Sequence, residues 1–325
     1  MSREDIQRYE GRHLFGVDPT RYANARPDYP GELYDRLIQR CGPLTRRVVF
    51  EVGAGTGLAT KQLLKLGAHS VRVIEPDPRL AEFLEKSIPS EALTIDVSSF
   101  ESAALPVGTF DLGVAATSFH WLEQSSALEK VRSALKPGGW WAMWWTHYGS
   151  DVPHPFYFAI ADLLQRVPDS PGGSGPRGTP FALDREARIR DLFAAGFRNV
   201  STDTLRWNCQ YDTARIVALY STFSPIQALE LHARAELLNE IGLIVDDEFN
   251  GTVDMAFMTI LYTGQQSAAT QGCMSRDRFE SNTPFNRSLD GGRRARKNCS
   301  LPDSVIETFF SKWDSAAGVT RVPGV

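Results

Sequence analysis

The sequence predicts a doubly wound α/β fold built on a mainly parallel sheet. Three observations carry that expectation. Short apolar runs alternate with amphipathic stretches up to about Gly149, as repeated βαβ units require. The first of these runs leads into a glycine-rich loop that opens a helix. An apolar share of 42% and a charged share of 23% are those of a globular chain, and 325 residues suffice for one large domain with insertions.

Taken in order, strands are expected near 48–53, 70–75, 93–97, 110–117, 140–146, 200–207 and 255–263. Helical stretches fall near 58–66, 78–87 and 123–135, between the first five. Strands alternating with helices of that length imply right-handed crossovers and helices on both faces of the sheet. The last strand follows a long helical segment instead of a crossover of usual length, so its direction stays open. Between Ser150 and about Pro180 the chain is rich in Pro, Gly and Ser, which predicts an exposed loop beside the aromatic segment Phe156-Tyr157-Phe158.

The expected organisation is an N-terminal lid segment over 1–35, a domain over 36–264 with cap insertions near 150–180 and 211–245, and a polar tail over 265–325. The tail carries +3 against −7 for the rest of the chain, and its basic cluster (Arg293, Arg294, Arg296, Lys297) reads as part of a solvated, disordered tail, with contact to RNA as the alternative. One short helix is expected there, over Val305 to Trp313. The net charge of −4 offers no general attraction to nucleic acid or to an anionic membrane. No run approaches the ~20 apolar residues of a membrane span. Cys41, Cys209, Cys273 and Cys299 lie far apart without CxxC spacing, so neither a zinc site nor a disulfide framework is expected, which fits a reducing cytoplasm.

The strongest local signal is Val48-Val-Phe-Glu-Val-Gly-Ala-Gly-Thr-Gly57. A buried strand turns sharply through Gly53, Gly55 and Gly57 and presents the N–H groups of the next helix to a ligand. Dinucleotide sites use a related loop, but here the spacing is GxGxG and Glu51 stands two positions before the first glycine. A carboxylate at that point repels a pyrophosphate and suits a ligand with an amino group. The second strand ends on Glu75, 22 residues after Gly53, where a carboxylate accepts both hydroxyls of a ribose. Asp77, before Pro78, reads as the N-cap of the following helix. The third strand ends on Asp96, facing the same crevice and placed to accept from an adenine amino group.

Glu51-Val-Gly-Ala-Gly-Thr-Gly57, Glu75, Asp96, Phe110-Asp-Leu-Gly-Val-Ala-Ala-Thr117 and Leu135-Lys-Pro-Gly-Gly-Trp140 occur in the order found in class I S-adenosylmethionine-dependent methyltransferases. The chain resembles that family over roughly residues 20 to 264. The resemblance implies a Rossmann-like seven-stranded sheet of order 3-2-1-4-5-7-6, with its seventh strand antiparallel, and S-adenosyl-L-methionine as cofactor. It implies that Gly53, Gly55 and Gly57 line the methionine part, that Glu75 binds the ribose, and that Asp96 with the Val97 backbone holds the adenine. Glu51, Ala54, Pro76, Thr117 and Ser118 complete the expected cofactor lining.

Tyr22-Ala-Asn-Ala-Arg26-Pro-Asp-Tyr29-Pro30 resembles the small-molecule branch that includes the fungal trans-aconitate methyltransferases, in which an N-terminal segment folds over the cofactor. Arg26 and Tyr29 then supply a cation and a phenol near a carboxylate of cofactor or substrate; alternatively, the two X-Pro steps only fix an extended lead-in. The fourth strand ends at Thr117-Ser-Phe-His120-Trp121, where an acceptor approaches. His120 is the candidate catalytic base, with a hydrogen-bonding strut as the competing role. Trp121, His147 and Tyr148 sit near the expected mouth. Period-two alternation puts Trp141 with Trp145 on one face of the fifth strand and Trp140 with Trp144 on the other. Tyr220, Ser221, Thr222 and Ser224, in the break Tyr220-Ser-Thr-Phe-Ser-Pro225, offer hydroxyls to orient a substrate, with a cap of the next helix as the alternative role of Ser224. No Asn/Asp-Pro-Pro-Tyr motif follows the fourth strand, which argues against a nucleic-acid amino-methylating enzyme and for a small acceptor. A non-catalytic regulator that binds the same cofactor, and a less favoured NAD-dependent oxidoreductase, are the rival functions.

Overall fold

The computed structural model describes residues 16–148, 154–167 and 180–267. The expected tail helix, the basic cluster and most of the Pro-, Gly- and Ser-rich stretch lie outside those residues.

The valine-rich run Val48–Val52 is shielded on both faces, as a central parallel strand must be, and forms β1. β2 (Ser70–Glu75), β3 (Leu93–Val97), β4 (Phe110–Ala116), β5 (Leu135–Tyr148), β6 (Arg198–Asp212) and β7 (Thr252–Gln265) complete one seven-stranded sheet, ordered β3-β2-β1-β4-β5-β7-β6. β1 to β5 pair in parallel, whereas β7 runs antiparallel between β5 and β6. This is the order and direction that the family resemblance implied.

The helices are α1 (Pro19–Ala25), α2 (Gly31–Cys41), α3 (Leu58–Lys65), α4 (Pro78–Ser87) and α5 (Gln124–Ala134) in the first half. Those of the second half are α6 (Pro155–Ala159), α7 (Ala161–Leu164), α8 (Arg185–Ala194), α9 (Thr213–Ser221), α10 (Ser224–Gln227) and α11 (Leu231–Phe249). Their caps follow from sequence: the Asp77 side chain accepts from the Arg79 N–H at the start of α4, with Pro78 in the first turn. α2 buries Leu33, Leu37 and Cys41, spaced four apart, and α3 buries Ala59, Thr60 and Leu63.

Three apolar clusters result. One lies under α2 and α3 and includes Val49, Val114 and Trp144. The opposite face of the sheet packs Phe50, Trp141 and Trp145 against Leu128 and Val131 of α5 and Leu192 of α8. The tryptophans thus divide by parity as alternation requires. A third cluster, with Phe156, Tyr220, Phe223 and Ile241, joins α6, α7 and α9 to α11 to the far ends of β6 and β7.

Two expectations need correction. The stretch 150–180 is not loop throughout, because α6 and α7 interrupt it. His154 caps α6, and Phe156, Ile160, Leu163 and Leu164 recur at helical spacing into the third cluster, which outweighs the Pro/Gly-rich composition around them. The fifth strand starts at Leu135, ahead of the expected 140, because β4 and β5 shift register between Phe110 and Leu112. That irregularity takes up Pro137-Gly138-Gly139, with Gly138 at φ +80°.

Candidate active site

The carboxyl ends of β1, β2 and β4 open into one cleft, at the point where the strand order reverses. The glycine loop forms its floor. Gly53 has φ +65°, and a Cβ there would stand 2.7 Å from the Ser118 Cβ, so chain reversal and close approach of the β4 loop both demand glycine. Gly55, at φ +58°, has nothing within 4 Å of its Cβ position; its backbone lies open to the cleft. Gly57 serves packing instead, since a Cβ there would meet Ile88 and Leu84 at 2.7 and 3.0 Å.

Glu75 lines the cleft with both carboxylate oxygens held: Oε2 accepts from the Gly55 N–H at 2.8 Å and Oε1 from the Asp77 N–H at 3.0 Å. Burial pushes its pKa up to about 7, against the pull of those two N–H groups, with the Asp77 charge adding to the rise. Glu51 lies beneath, fully buried, and accepts from the Thr60 hydroxyl at 2.6 Å. Its other oxygen meets no hydrogen-bond partner among the described residues. Burial raises its pKa to about 7, with the Thr60 bond opposing and the Glu75 charge assisting. Two carboxyls that titrate near neutrality beside an open backbone suit a ligand with donors to offer.

Arg26 is buried at the opposite wall. Its Nε donates to Thr222 Oγ1 at 2.9 Å, Nη1 to the Tyr148 hydroxyl at 2.8 Å, and Nη2 to the Thr222 carbonyl at 3.4 Å. The rings of Tyr22, Tyr148 and Phe223 surround the guanidinium within 5.0 Å. No carboxylate among the described residues pairs with it. Tyr29 and Thr117 share a hydroxyl hydrogen bond at 3.0 Å, and Thr117 holds a left-handed φ of +57°, a strained conformation for a β-branched residue. The Ser118 hydroxyl donates to the Val52 carbonyl, tying β4 back to β1.

His120 and Trp121 reach the cleft from a 3₁₀ turn over Phe119–Trp121. The Trp145 indole donates to His120 Nδ1 at 3.0 Å, so that nitrogen is an acceptor and a neutral ring carries its proton on Nε2. To act as a base, His120 would have to give up the Trp145 bond; a strut or a hydrogen-bond donor fits the geometry better.

Of the residues singled out from sequence, Tyr22, Arg26, Tyr29, Gly53, Ala54, Gly55, Glu75, Pro76, Thr117, Ser118, His120 and Trp121 line the cleft. Asp96 does not. Arg72 of the neighbouring strand takes its carboxylate at 2.6 Å, and Val97 faces outward, 57% exposed. Ser99, Phe100 and Glu101 line that end instead. His147 and Tyr220 are buried away from the cleft, the latter inside the third cluster. Tyr148, expected near the mouth, and Thr146, not singled out from sequence, also line the cleft, while Thr222, whose hydroxyl was expected over the substrate, is bonded by Arg26. Alternation gives a signal for the first two, because residues 144, 146 and 148 share a face of β5.

Residues 50–143 match the methyltransferase domain family. An uncharacterized methyltransferase of Schizosaccharomyces pombe is 23% identical over 259 residues, which cover 78% of this chain and 96% of that protein. An uncharacterized methyltransferase of Mycobacterium bovis is 30% identical over 131 residues, 40% of this chain; the chain spans about half of that relative's length, 51%. A solved structure from Anaeromyxobacter dehalogenans, provisionally named a type II methyltransferase, aligns with TM-score 0.56 at 21% identity, covering 75% of this chain and 99% of the other. Residues 50–143 are thus similar to the methyltransferase domain family, and they sit within a seven-stranded sheet with the class I methyltransferase fold.

Proposed function

We propose that the protein is an S-adenosylmethionine-dependent methyltransferase acting on a small-molecule acceptor by direct displacement. One observation carries the reading: a backbone-open glycine loop and the buried Glu75 carboxyl, with Glu51 beneath them, share a cleft with a buried arginine that lacks an anionic partner among the described residues. The donor set fits the cofactor. Glu75 would take the ribose hydroxyls, and Glu51 lies below the loop, where an amino group needs negative charge. Ile74, Leu80 and Phe100 supply apolar walls for the adenine. The cofactor supplies an electrophilic methyl group on a sulfonium.

The chain's own part is alignment and exclusion of water, which contribute on the order of 7–11 kcal/mol in well-oriented reactions. Arg26 and Tyr29 would hold a carboxylate of cofactor or acceptor. His120 would orient the acceptor from its Trp145 support. The segment before residue 36 acts in this reading as a lid, with the catalytic domain over 36–264. Among the described residues no helix is long and apolar enough to cross a membrane, in keeping with an acceptor met in the cytoplasm.

Calorimetric titration with S-adenosylmethionine and, separately, with NAD tests the proposal. Micromolar binding of the first alone, together with methyl transfer to members of a small-acceptor panel, is the expected result. Binding of NAD alone overturns it, and cofactor binding without turnover on any acceptor points to a regulator.

A further inference from the structure

A second cavity lies on the outer side of the N-terminal segment, with a volume of about 520 Å³. α1 and the residues before it form one side, and the end of α9 with α10 and α11 forms the other. Two arginines from different elements face it: Arg21 of α1 and Arg234 in the first turn of α11. Among the described residues neither is in an ion pair. Arg234 Nη1 donates only to the Gln227 carbonyl, at 3.4 Å. The single acid in the lining is Asp18, whose Oδ1 caps α1 by accepting from the Arg21 N–H at 2.9 Å.

A structural role explains this pair poorly. Two guanidiniums on one small cavity repel each other, and a cation in the first turn of a helix gains nothing from the helix dipole. The rim is apolar: Val17 and Leu231 are large side chains left 67% and 71% exposed, and Leu238 lies deeper. Cations over an apolar floor match an anion that carries a short hydrocarbon body.

The cavity is also wired to the cleft. Tyr22 lines both, and Thr222 lines the outer cavity while its hydroxyl and carbonyl hold Arg26 in the inner one.

We propose that this outer cavity is a second binding site, for a small amphipathic oxyanion (a carboxylate or a phosphate monoester) whose occupancy tightens cofactor binding through Tyr22 and the Thr222–Arg26 contact. The anion sits between Arg21 and Arg234, and its apolar body lies against Leu231 and Leu238. Ordering the junction of α1 with α9 fastens the segment over the cleft, so the coupling is positive and reciprocal.

The test uses the full chain, titrated with hexanoate, hexyl phosphate and, as neutral control, hexanol. Both anions are expected to bind, with hexanol at least about tenfold weaker, in line with a charge-assisted hydrogen bond. The tighter of the two anions names the natural head group. An R21Q/R234Q double variant, altered only at cavity-facing side chains, should lose about tenfold or more in anion affinity. A235W, which fills the cavity and leaves the cleft untouched, should abolish binding. Circular dichroism confirms that both variants fold. S-adenosylmethionine should bind a few-fold tighter to the wild type in saturating hexanoate, and no tighter to either variant. Failure of both anions to bind at 10 mM overturns the proposal. So does equal binding of hexanol, or undiminished anion binding in A235W. If S-adenosylmethionine itself does not bind, the proposed methyl transfer falls, while the anion titration still decides the second site.

Discussion

The strand-end half of the cleft and its cap half are built on different principles. Around the glycine loop, the hydrogen bonds run over short spans of chain: Glu75 to Gly55 and Asp77, 20 and 2 residues away, and Glu51 to Thr60, 9 away. Across the cleft, Arg26 reaches Tyr148 and Thr222, which are 122 and 196 residues away. The cap also has its own apolar cluster, separate from the two that clothe the sheet. A ligand therefore meets a fixed floor laid down by the sheet and a cover whose position depends on distant packing.

The sharpest way to break that comparison is to empty one cluster at a time. Trp141→Ala opens the sheet's own core and should cost about 3–5 kcal/mol of global stability, lost equally by floor and cover. Phe156→Ala removes a fully buried ring from the cap and should cost about as much, but mainly locally. Hydrogen exchange would then show faster opening of α9 and α11 with β1 to β4 still protected. Uniform loss of protection in both variants would mean that the two regions are one cooperative unit.

Next in size is the pH response of the floor. Burial raises the pKa of Glu51 and Glu75 in the fold to about 7 from the ordinary 4.5, so the folded state holds protons that the unfolded chain releases. The stability that these two carboxyls contribute is thus fully present below about pH 4.5, falls as the pH rises toward 7, and stays lower above that. The loss amounts to at most about 3 kcal/mol per carboxyl. Affinity for S-adenosylmethionine should move the opposite way, rising through pH 7 as both carboxylates ionise. Denaturant titrations between pH 5 and 8 check the first trend, and E51Q should flatten it.

Glu75→Gln keeps the shape and removes the charge. It should weaken S-adenosylmethionine about 10- to 100-fold, the worth of hydrogen bonds to a charged group, with little change in melting temperature. Arg26→Gln makes the contrast: its effect should appear first as faster exchange of the α1 and α9 amides, since that side chain ties the cover down.

Sequence exposed the floor well and the cover poorly, for the same reason. A parallel strand followed by glycine punctuation and a capped helix is a local pattern, and Asp77 with Pro78 marks the start of α4 without any knowledge of the fold. Asp96 stands at the end of its strand as expected. Its carboxylate is claimed by Arg72, however, and that pairing depends on the β2–β3 register, which sets Arg72 opposite Thr94. Tyr148 was expected near the mouth and lines the cleft, whereas the Thr222 hydroxyl, expected over the substrate, accepts from Arg26 instead. Tyr220 offered a hydroxyl on paper, but the cap cluster absorbs the whole ring.

The smallest expected effect comes from ending the chain after residue 267. The sheet's last described backbone tie is the Gln266 N–H to the Gly139 carbonyl, so the shortened protein should melt within about 2 °C of the full one. A larger drop, read by differential scanning fluorimetry, would give residues 268–325 a part in holding the sheet together.

The insertion of β7 between β5 and β6 also bears on how the protein is made. β5 leaves the ribosome with one edge satisfied by β4, while the partner for its other edge begins at Thr252, more than 100 residues later. At ~5–20 residues per second that gap lasts on the order of 5–20 seconds. Throughout it, the edge that bears Trp140, Trp141, Trp144 and Trp145 has unpaired peptide groups beside large apolar rings, which is the state most open to pairing with another nascent chain. Chaperone demand during synthesis should therefore centre on this strand, and slower translation between 150 and 250 should lower the soluble yield.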